Sequence, residues 1–105
     1  MLRIYPVCLE VLRAVRPIAD RIARRDRGHA KQLRESALSV HLNVAEGAGH
    51  RAGNRRLRYE SALGSARETL ANLEASEAIG YIEKLDPRLR AHLNRIIGTL
   101  VKLVR

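Results

Sequence analysis

The sequence predicts an all-α fold: an up-down-up-down four-helix bundle that forms a single domain over residues 1–105. Apolar residues recur at helical steps of three and four along four segments, and short breaks join these segments. Hydrophobic residues make up 46% of the chain but aromatic residues only 3%, with no Phe and no Trp. A core of Leu, Ile, Val and Ala suits closely packed helices better than a sheet, and no segment alternates as a strand would.

The first helix is predicted from about Pro6 to Arg25, on an apolar stripe of Cys8, Val11, Val15, Ile18 and Ile22. Pro17 lies inside this pattern, so we expect the helix to kink there or to restart with Pro17 in a first turn. Gly28 follows the last periodic residues and is predicted to end the helix as a left-handed cap.

The second helix is distinguished by a stretch without lysine or arginine between Arg34 and Arg51. Small and polar residues follow one helical stripe of this stretch: Gln32, Ser36, Ser39, Asn43 and Glu46. An apolar stripe lies beside it: Leu33, Ala37, Val40 and Val44. A helix with two such stripes and no long cations is predicted to lie at the centre of the molecule, enclosed by other helices.

The third helix is predicted to begin at Asn54, as N-cap, and to continue to Gly80. Many of its residues are small, so a neighbour can approach closely, and we expect the second and third helices to form the most intimate pair. The fourth helix is predicted to open at Asp86, with Pro87 at its first position.

Arginine dominates the charge of the chain. Lys and Arg total 20 against 11 for Asp and Glu, a formal net charge of +9. We therefore expect an anionic partner, and nucleic acid is the commonest anionic polymer in a cytoplasm. The predicted nucleic-acid-binding residues form two groups, with the first preferred: Arg51, Arg55, Arg56 and Arg58, then Arg21, Arg24, Arg25 and Arg27. The alternative is that these arginines only keep an exposed face soluble.

A glycine- and arginine-rich break, residues 47–56, precedes the third helix. Glycine lets the backbone approach an anion, and a helix N-terminus adds partial positive charge, so this break is a candidate for phosphate contact. A flexible exposed turn explains the composition equally well. Three scattered tyrosines do not form a base-stacking platform, so recognition is expected to depend on phosphate and shape.

Catalysis is not predicted, and the chain is not expected to be an enzyme. The four histidines lie in separate segments, no paired carboxylates or Ser-His-Asp order stands out, and neither a metal site nor a cofactor is expected. The single cysteine indicates a reducing compartment. Because no apolar run approaches the roughly 18 residues of a membrane span, we expect a cytoplasmic protein without a membrane partner.

Two strings of the chain resemble a known family: QLRESALSVHLNVAEG, residues 32–47, and ALGSARETLANLEASEAIGYI, residues 62–82. With the short break between them, they are similar to the four-helix-bundle family named after the 23S rRNA intervening sequence protein. The matching positions are Gln32, Arg34, Ser39, Asn43, Ala45, Glu46, Gly47, Ala62, Gly64, Ser65, Glu68, Gly80, Tyr81 and Ile82. Glu35 and Ser36 depart from the family pattern, which usually has Arg and Ala there.

The resemblance implies a bundle that assembles as a ring-shaped homopentamer and has no known enzymatic activity. A related branch, the accessory variability proteins of diversity-generating retroelements, consists of basic barrels that engage nucleic acid and a reverse transcriptase. Two hypotheses follow. The first is an oligomer that binds RNA or DNA backbone through its arginines. The alternative is an adapter that docks a partner protein, such as a reverse transcriptase, without contacting nucleic acid.

The polar motif residues are interpreted as structural rather than catalytic: Ser39, Asn43, Glu46, Gly47, Gly64, Ser65 and Glu68. A buried carboxylate requires a partner. Glu46 is therefore expected to meet backbone N–H groups or an arginine, with Arg34, Arg51 and Arg67 as the candidates. Glu68 is expected to bridge two helices.

Overall fold

The computed structural model of the chain describes residues 2–49 and 52–105. It contains four helices: α1 (Tyr5–Ala23), α2 (Arg27–Ala48), α3 (Ala52–Ala78) and α4 (Pro87–Val104). No strand occurs in the described part of the chain. The all-α prediction and the number and order of the helices are confirmed.

Contacts between neighbouring helices give the directions of the chain. Asp20, late in α1, pairs with Arg34, early in α2, whereas the Tyr5 ring at the start of α1 lies 5.0 Å from the His41 ring late in α2. Ser76 near the end of α3 likewise contacts His29 near the start of α2. Arg90, early in α4, pairs with Glu74, late in α3. Successive helices are therefore antiparallel, and the described residues form an up-down-up-down bundle of 42 × 23 × 20 Å.

The core is aliphatic, as predicted, and every helix contributes to it. Its largest enclosed side chains come mostly from α1, α2 and α4 and are leucine, isoleucine and valine: Ile4, Val11, Ile22, Leu33, Val40, Val44, Leu73, Leu89, Leu93, Ile96 and Leu100. Fully burying one such side chain, rather than leaving it exposed, stabilises the fold by about 1.5–3 kcal/mol. Tyr59 on α3, 4% exposed, adds a buried aromatic ring to this core.

The turn between α1 and α2 differs from the prediction. α1 is continuous through Pro17. Gly28 is not a left-handed cap, because it already lies in the first turn of α2. Asp26 caps that helix instead: its backbone is extended, with φ −151°, and its Oδ1 accepts the His29 N–H at 2.9 Å. An aspartate one residue before the helix satisfies an N–H group that would otherwise lack a partner.

The left-handed glycine lies at the end of α3. Gly80 has φ +83°, its N–H donates to the Glu77 carbonyl, and the Tyr81 N–H donates to the Ser76 carbonyl at 2.8 Å. These two bonds form a Schellman motif, which a glycine without Cβ adopts most readily. At its other end α3 begins at Ala52, so the predicted N-cap role of Asn54 is wrong.

Helices α2 and α3 make the most extensive contact in the bundle, which confirms the predicted pair. At Gly47 a side chain of α3 packs directly against the backbone of α2. A Cβ atom at this position would lie 2.4 Å from Cε1 of Tyr59, whose ring packs directly on the glycine. The prediction that α2 is enclosed is wrong for one face, because Leu38 and Leu42 each remain 47% exposed.

Candidate nucleic-acid interface

A ladder of polar side chains joins α2 to α3 along their length. The hydroxyls of Ser39 and Ser65 lie 2.8 Å apart, and Asn43 Nδ2 donates to both the carbonyl and the hydroxyl oxygen of Ser39. One turn earlier, the hydroxyls of Ser36 and Thr69 are also 2.8 Å apart. Buried polar groups are costly unless they are paired, so this ladder favours a single register of α2 against α3.

The ladder continues at the end of the bundle where α2 begins. His29 Nε2 lies 2.9 Å from the Ser76 hydroxyl, and Asn72 Nδ2 donates to the His29 carbonyl. The Ser76 hydroxyl also lies 2.8 Å from the Asn72 carbonyl and is fully buried. This histidine and serine are therefore in contact, but a substrate could not reach the serine, and the contact is structural.

The outer motif residues lie differently from what the sequence suggests. Glu46 is half exposed and pairs with Arg58 at 3.1 Å, which was not among its predicted partners. Glu68 is exposed and forms no hydrogen bond or ion pair with the described residues, so the prediction that it bridges two helices is wrong. Gly64 is also exposed, with no atom within 4 Å of where its Cβ would be.

The arginine cluster preferred from the sequence lies at the start of α3. Arg55, Arg56 and Arg58 are exposed there, whereas Arg51 lies outside the described residues. Arg56 pairs with Glu60 at 3.2 Å, and Arg58 pairs with Glu46. Exposed ion pairs of this kind contribute only about 0–1 kcal/mol to the stability of the fold. Each nevertheless places a carboxylate beside a cation that is predicted to bind phosphate.

The second cluster lies at the opposite end, where α1 turns into α2. Arg21, Arg24 and Arg25 line one wall of an open cleft of about 450 Å³, and the segment after α3 lines the other: Gly80, Tyr81, Ile82 and Glu83. Arg27 is exposed at the first position of α2. None of these four arginines forms an ion pair with a carboxylate in residues 2–49 or 52–105.

The structure therefore does not bring the two predicted clusters together. α2 spans the distance between them with 22 residues, which at about 1.5 Å per residue corresponds to roughly 30 Å. Each end of the bundle carries its own set of arginines. A nucleic acid can contact both sets on one chain only if it extends along the long axis.

Two carboxylates at this end of the bundle, those of Asp26 and Glu77, are held by structural bonds, whereas Glu83 lines the cleft itself. Asp26 accepts the His29 N–H on one oxygen and the Tyr81 hydroxyl, at 2.9 Å, on the other. These bonds, in that order, lower the pKa of Asp26, while the bond to Asp26 followed by partial burial raises the pKa of Tyr81. Glu77 accepts the Leu85 N–H at 2.6 Å. The bonded oxygens of both acids are therefore engaged by donors of the protein itself.

Sequence reasoning did not place Tyr81 and Glu83 at a site. Tyr81 is part of the Gly-Tyr-Ile string that matches the family pattern, but its place in the same cleft as Arg21 depends on the fold, which brings the end of α1 and the segment after α3 together. Its ring is fixed by the hydroxyl bond to Asp26 and by an edge contact with the His29 ring, 5.6 Å between centroids.

Other kinds of site find little support in the described residues. No group of three or more His, Cys, Asp or Glu side chains there could hold a metal ion. Cys8 is buried, and desolvation raises the pKa of its thiol to about 11, so it is a poor nucleophile at neutral pH. Among the described helices, none has the length and apolar character needed to cross a membrane.

The fold and the surface together define a small basic four-helix bundle with a polar α2–α3 ladder and arginine-rich ends. The chain belongs to the 23S rRNA-intervening sequence protein family, whose model matches residues 2–102. The family predicted from the two central strings is thereby confirmed, and the match extends over all four helices. No curated protein matches the chain.

A solved structure supports the fold. It is the crystal structure of a protein of unknown function from the S23 ribosomal protein family of Bacteroides thetaiotaomicron VPI-5482. The two chains superimpose with a TM-score of 0.84 at 17% sequence identity, covering 97% of this chain and 98% of the other. At this identity the similarity establishes the arrangement of helices and leaves the function open.

Proposed function

We propose that this protein is a non-enzymatic nucleic-acid-binding module that contacts RNA or DNA backbone through the arginines at the ends of its bundle. The observation that carries the proposal is the distribution of paired and unpaired charge. The arginines of the α1–α2 turn have no carboxylate partner among the described residues: Asp26 is held by a backbone N–H and a hydroxyl, and Glu83, which lines the same cleft, forms no ion pair with them. Phosphate groups would supply the missing negative charge.

This distribution changes the preferred order of the two clusters. Arg56 and Arg58 must exchange a carboxylate for a phosphate, whereas Arg24 and Arg25 have no carboxylate to release. We therefore expect the α1–α2 turn to contribute more to binding than the start of α3, which is the reverse of the preference drawn from the sequence.

The test is an anisotropy titration of a labelled RNA hairpin and of duplex DNA at several salt concentrations. Arg24→Gln/Arg25→Gln and Arg55→Gln/Arg56→Gln each remove two cations from one cluster. The matched control is Arg16→Gln/Arg95→Gln, which removes two exposed arginines that have no ion pair in the described residues and lie outside both clusters. Circular dichroism checks that all three variants fold.

Each phosphate that an arginine no longer neutralises should reduce the slope of log K against log salt by about 1, so a cluster variant should show a slope smaller by about 2. The control should retain the wild-type slope. Absence of a complex with either nucleic acid at about 50 mM salt would refute the proposal. An equal reduction in the control variant would refute the assignment to these clusters, because only net charge would then matter.

We further propose that the protein acts as a ring-shaped homo-oligomer, with five copies as the number that the family resemblance implies. A bare apolar surface supports self-association. Leu38 and Leu42 on α2 and Leu57 on α3 are 47%, 47% and 61% exposed, and an open groove runs beside the first two. Large exposed apolar residues that cluster in this way are typical of interfaces.

Sedimentation equilibrium of the wild type and of Leu42→Arg tests the assembly. Exposed leucine does not support the fold of one chain, so the variant should keep its helicity but sediment as a smaller species. A monomeric wild type, or an unchanged assembly in the variant, would refute this role of the surface. Capture of a reverse transcriptase by nuclease-treated protein that fails to bind nucleic acid would instead favour the adapter hypothesis.

A further inference from the structure

The cleft between the end of α1 and the segment after α3 has features that general backbone binding does not require. It has two walls, arginines on one and Tyr81 with Glu83 on the other, and a volume of about 450 Å³. Sites for small ligands commonly measure about 300–1,000 Å³. The phosphates along a nucleic-acid strand are reached by arginines on an open face, whereas a cleft of this size can admit a single nucleotide unit.

The charges that line the cleft favour a group with more than one negative charge. Arg21, Arg24 and Arg25 carry three positive charges, and Glu83 is the carboxylate among the lining residues. Like charges three and four positions apart repel one another, so the three cations gain from a shared anion. A phosphodiester inside a strand supplies one negative charge, while a terminal phosphate approaches two at neutral pH.

The other wall adds a surface for the rest of a nucleotide. Tyr81 is half-buried, and its hydroxyl bond to Asp26 fixes the ring. A held aromatic ring provides contact area for a sugar or a base at little cost in conformational entropy. The backbone N–H groups of this wall cannot help, because those of Gly80, Tyr81 and Ile82 all donate to carbonyls at the end of α3.

We infer that this cleft is a binding site for a nucleoside phosphomonoester, held by Arg21, Arg24 and Arg25 through its phosphate and contacted by Tyr81 through its nucleoside. Two sources share this chemistry: the 5′-phosphorylated end of a nucleic acid and a free nucleotide. The first source deepens the proposed function and rests on it, while the second stands without it. In either case the cleft binds an end or a single unit when one is present, and on a nucleic acid without such an end the same arginines contact internal phosphates.

The experiment compares two labelled RNAs of the same sequence, one with a 5′-phosphate and one with a 5′-hydroxyl, and measures AMP binding in parallel by equilibrium dialysis. Charge-assisted hydrogen bonds to the extra phosphate should strengthen binding of the phosphorylated RNA by about tenfold or more. Arg24→Gln/Arg25→Gln should abolish that preference, and the control Arg16→Gln/Arg95→Gln should keep it.

A second variant gives a gain of binding, which misfolding cannot imitate. Glu83→Gln removes the carboxylate that lines the cleft. It should tighten binding of the phosphorylated RNA or of AMP by about fivefold, the factor that corresponds to the repulsion between two unit charges about 4 Å apart in water. Its matched control is Glu10→Gln. Glu10 is also exposed and lies on α1 outside the cleft, where it forms only a surface pair with Arg13.

The outcomes separate this inference from the proposed function. If both RNAs bind equally and AMP does not bind, the cleft site is refuted while backbone binding stands. If AMP binds and no RNA does, the proposed function fails and the free nucleotide is the ligand. A 5′-phosphate preference that survives in Arg24→Gln/Arg25→Gln, or an equal gain in Glu83→Gln and Glu10→Gln, would place the site elsewhere and overturn the inference.

Discussion

Replacing Gly47 by alanine tests how closely α2 and α3 pack, because the new methyl group has no space. Its Cβ would lie 2.4 Å from Cε1, 2.8 Å from Cδ1 and 3.1 Å from Cζ of Tyr59. Carbon atoms attract one another at about 3.5–4.0 Å and repel steeply at shorter distances. The ring must therefore shift by about 1 Å, and it is buried, with 4% of its surface exposed.

Two opposing effects set the expected change in stability. Alanine is favoured over glycine inside a helix by about 1 kcal/mol, since it loses less backbone entropy on folding. Forcing an extra methyl group into a packed site costs about 1–3 kcal/mol, and a 2.4 Å approach to a buried ring belongs near the upper end of that range. We therefore expect Gly47→Ala to lower the free energy of unfolding by about 1–2 kcal/mol.

Urea denaturation followed by circular dichroism measures this change, at several protein concentrations so that any assembly is accounted for. Gly98→Ala is the matched control. Gly98 lies inside α4 with no atom within 4 Å of its Cβ position, so alanine there should stabilise by about 1 kcal/mol.

A double mutant identifies the cause. Once Tyr59→Leu removes the ring, Gly47→Ala should become neutral or stabilising. A Gly47→Ala protein as stable as the wild type, or an equal loss when Tyr59 is leucine, would refute the close-packing argument.

Three further predictions concern the ladder, the α2 cap and the buried thiol. Thr69→Val should lower the free energy of unfolding, measured by urea titration, by about 1 kcal/mol, because it removes the hydroxyl that bonds Ser36. The double variant with Ser36→Ala should lose less stability than the sum of the two single changes. Tyr81→Phe should raise the pKa of Asp26 towards its ordinary value, as carboxyl NMR would show. Because the folded pKa of Asp26 is depressed, the stability this bond contributes is present at neutral pH and lost as the pH falls through that pKa, so wild type and variant should converge in acid. Cys8 should resist a disulfide reagent at about pH 8 in the folded protein and react at once in urea, and fast reaction of the folded protein would contradict its burial and its pKa of about 11.

The local sequence pattern was sufficient to predict the helices, the aliphatic core and the α2–α3 pair. Helical periodicity and the occurrence of small side chains can both be read from a short stretch of sequence. The choice of cap was harder. Gly28 and Gly80 both follow helical patterns, but the Asp26 carboxylate starts α2 before Gly28 can turn left-handed, and no such cap competes at Gly80.

Contacts between residues on different helices could not be predicted from the local sequence pattern. Glu46 meets Arg58 because α2 and α3 return antiparallel after a short connection, and the sequence offered several arginines at similar separations. The cleft also requires the whole fold, since α1 supplies its arginines and the segment after α3 supplies Tyr81. The sequence therefore shows where the arginines cluster, but only the fold shows which of them already form an ion pair with a carboxylate.

The motif residues that identify the family form two groups: those that lie between α2 and α3, and those that are exposed on the outer surface of α3. Ser39, Asn43 and Ser65 bond within the pair, and Gly47 admits the Tyr59 ring. These positions are explained by the fold of a single chain.

Gly64 and Glu68 are not explained in that way. Both are exposed on α3, and neither contacts another helix of the same chain: Gly64 has open space where a side chain would be, and Glu68 has no bonded partner among the described residues. A single folded chain gains nothing from a glycine there, since alanine would favour the helix by about 1 kcal/mol. In the proposed ring, a second molecule packed closely against α3 would give a small residue at this position a role. If Gly64→Ala stabilises the isolated chain but weakens its assembly, this half of the motif belongs to the ring rather than to the bundle.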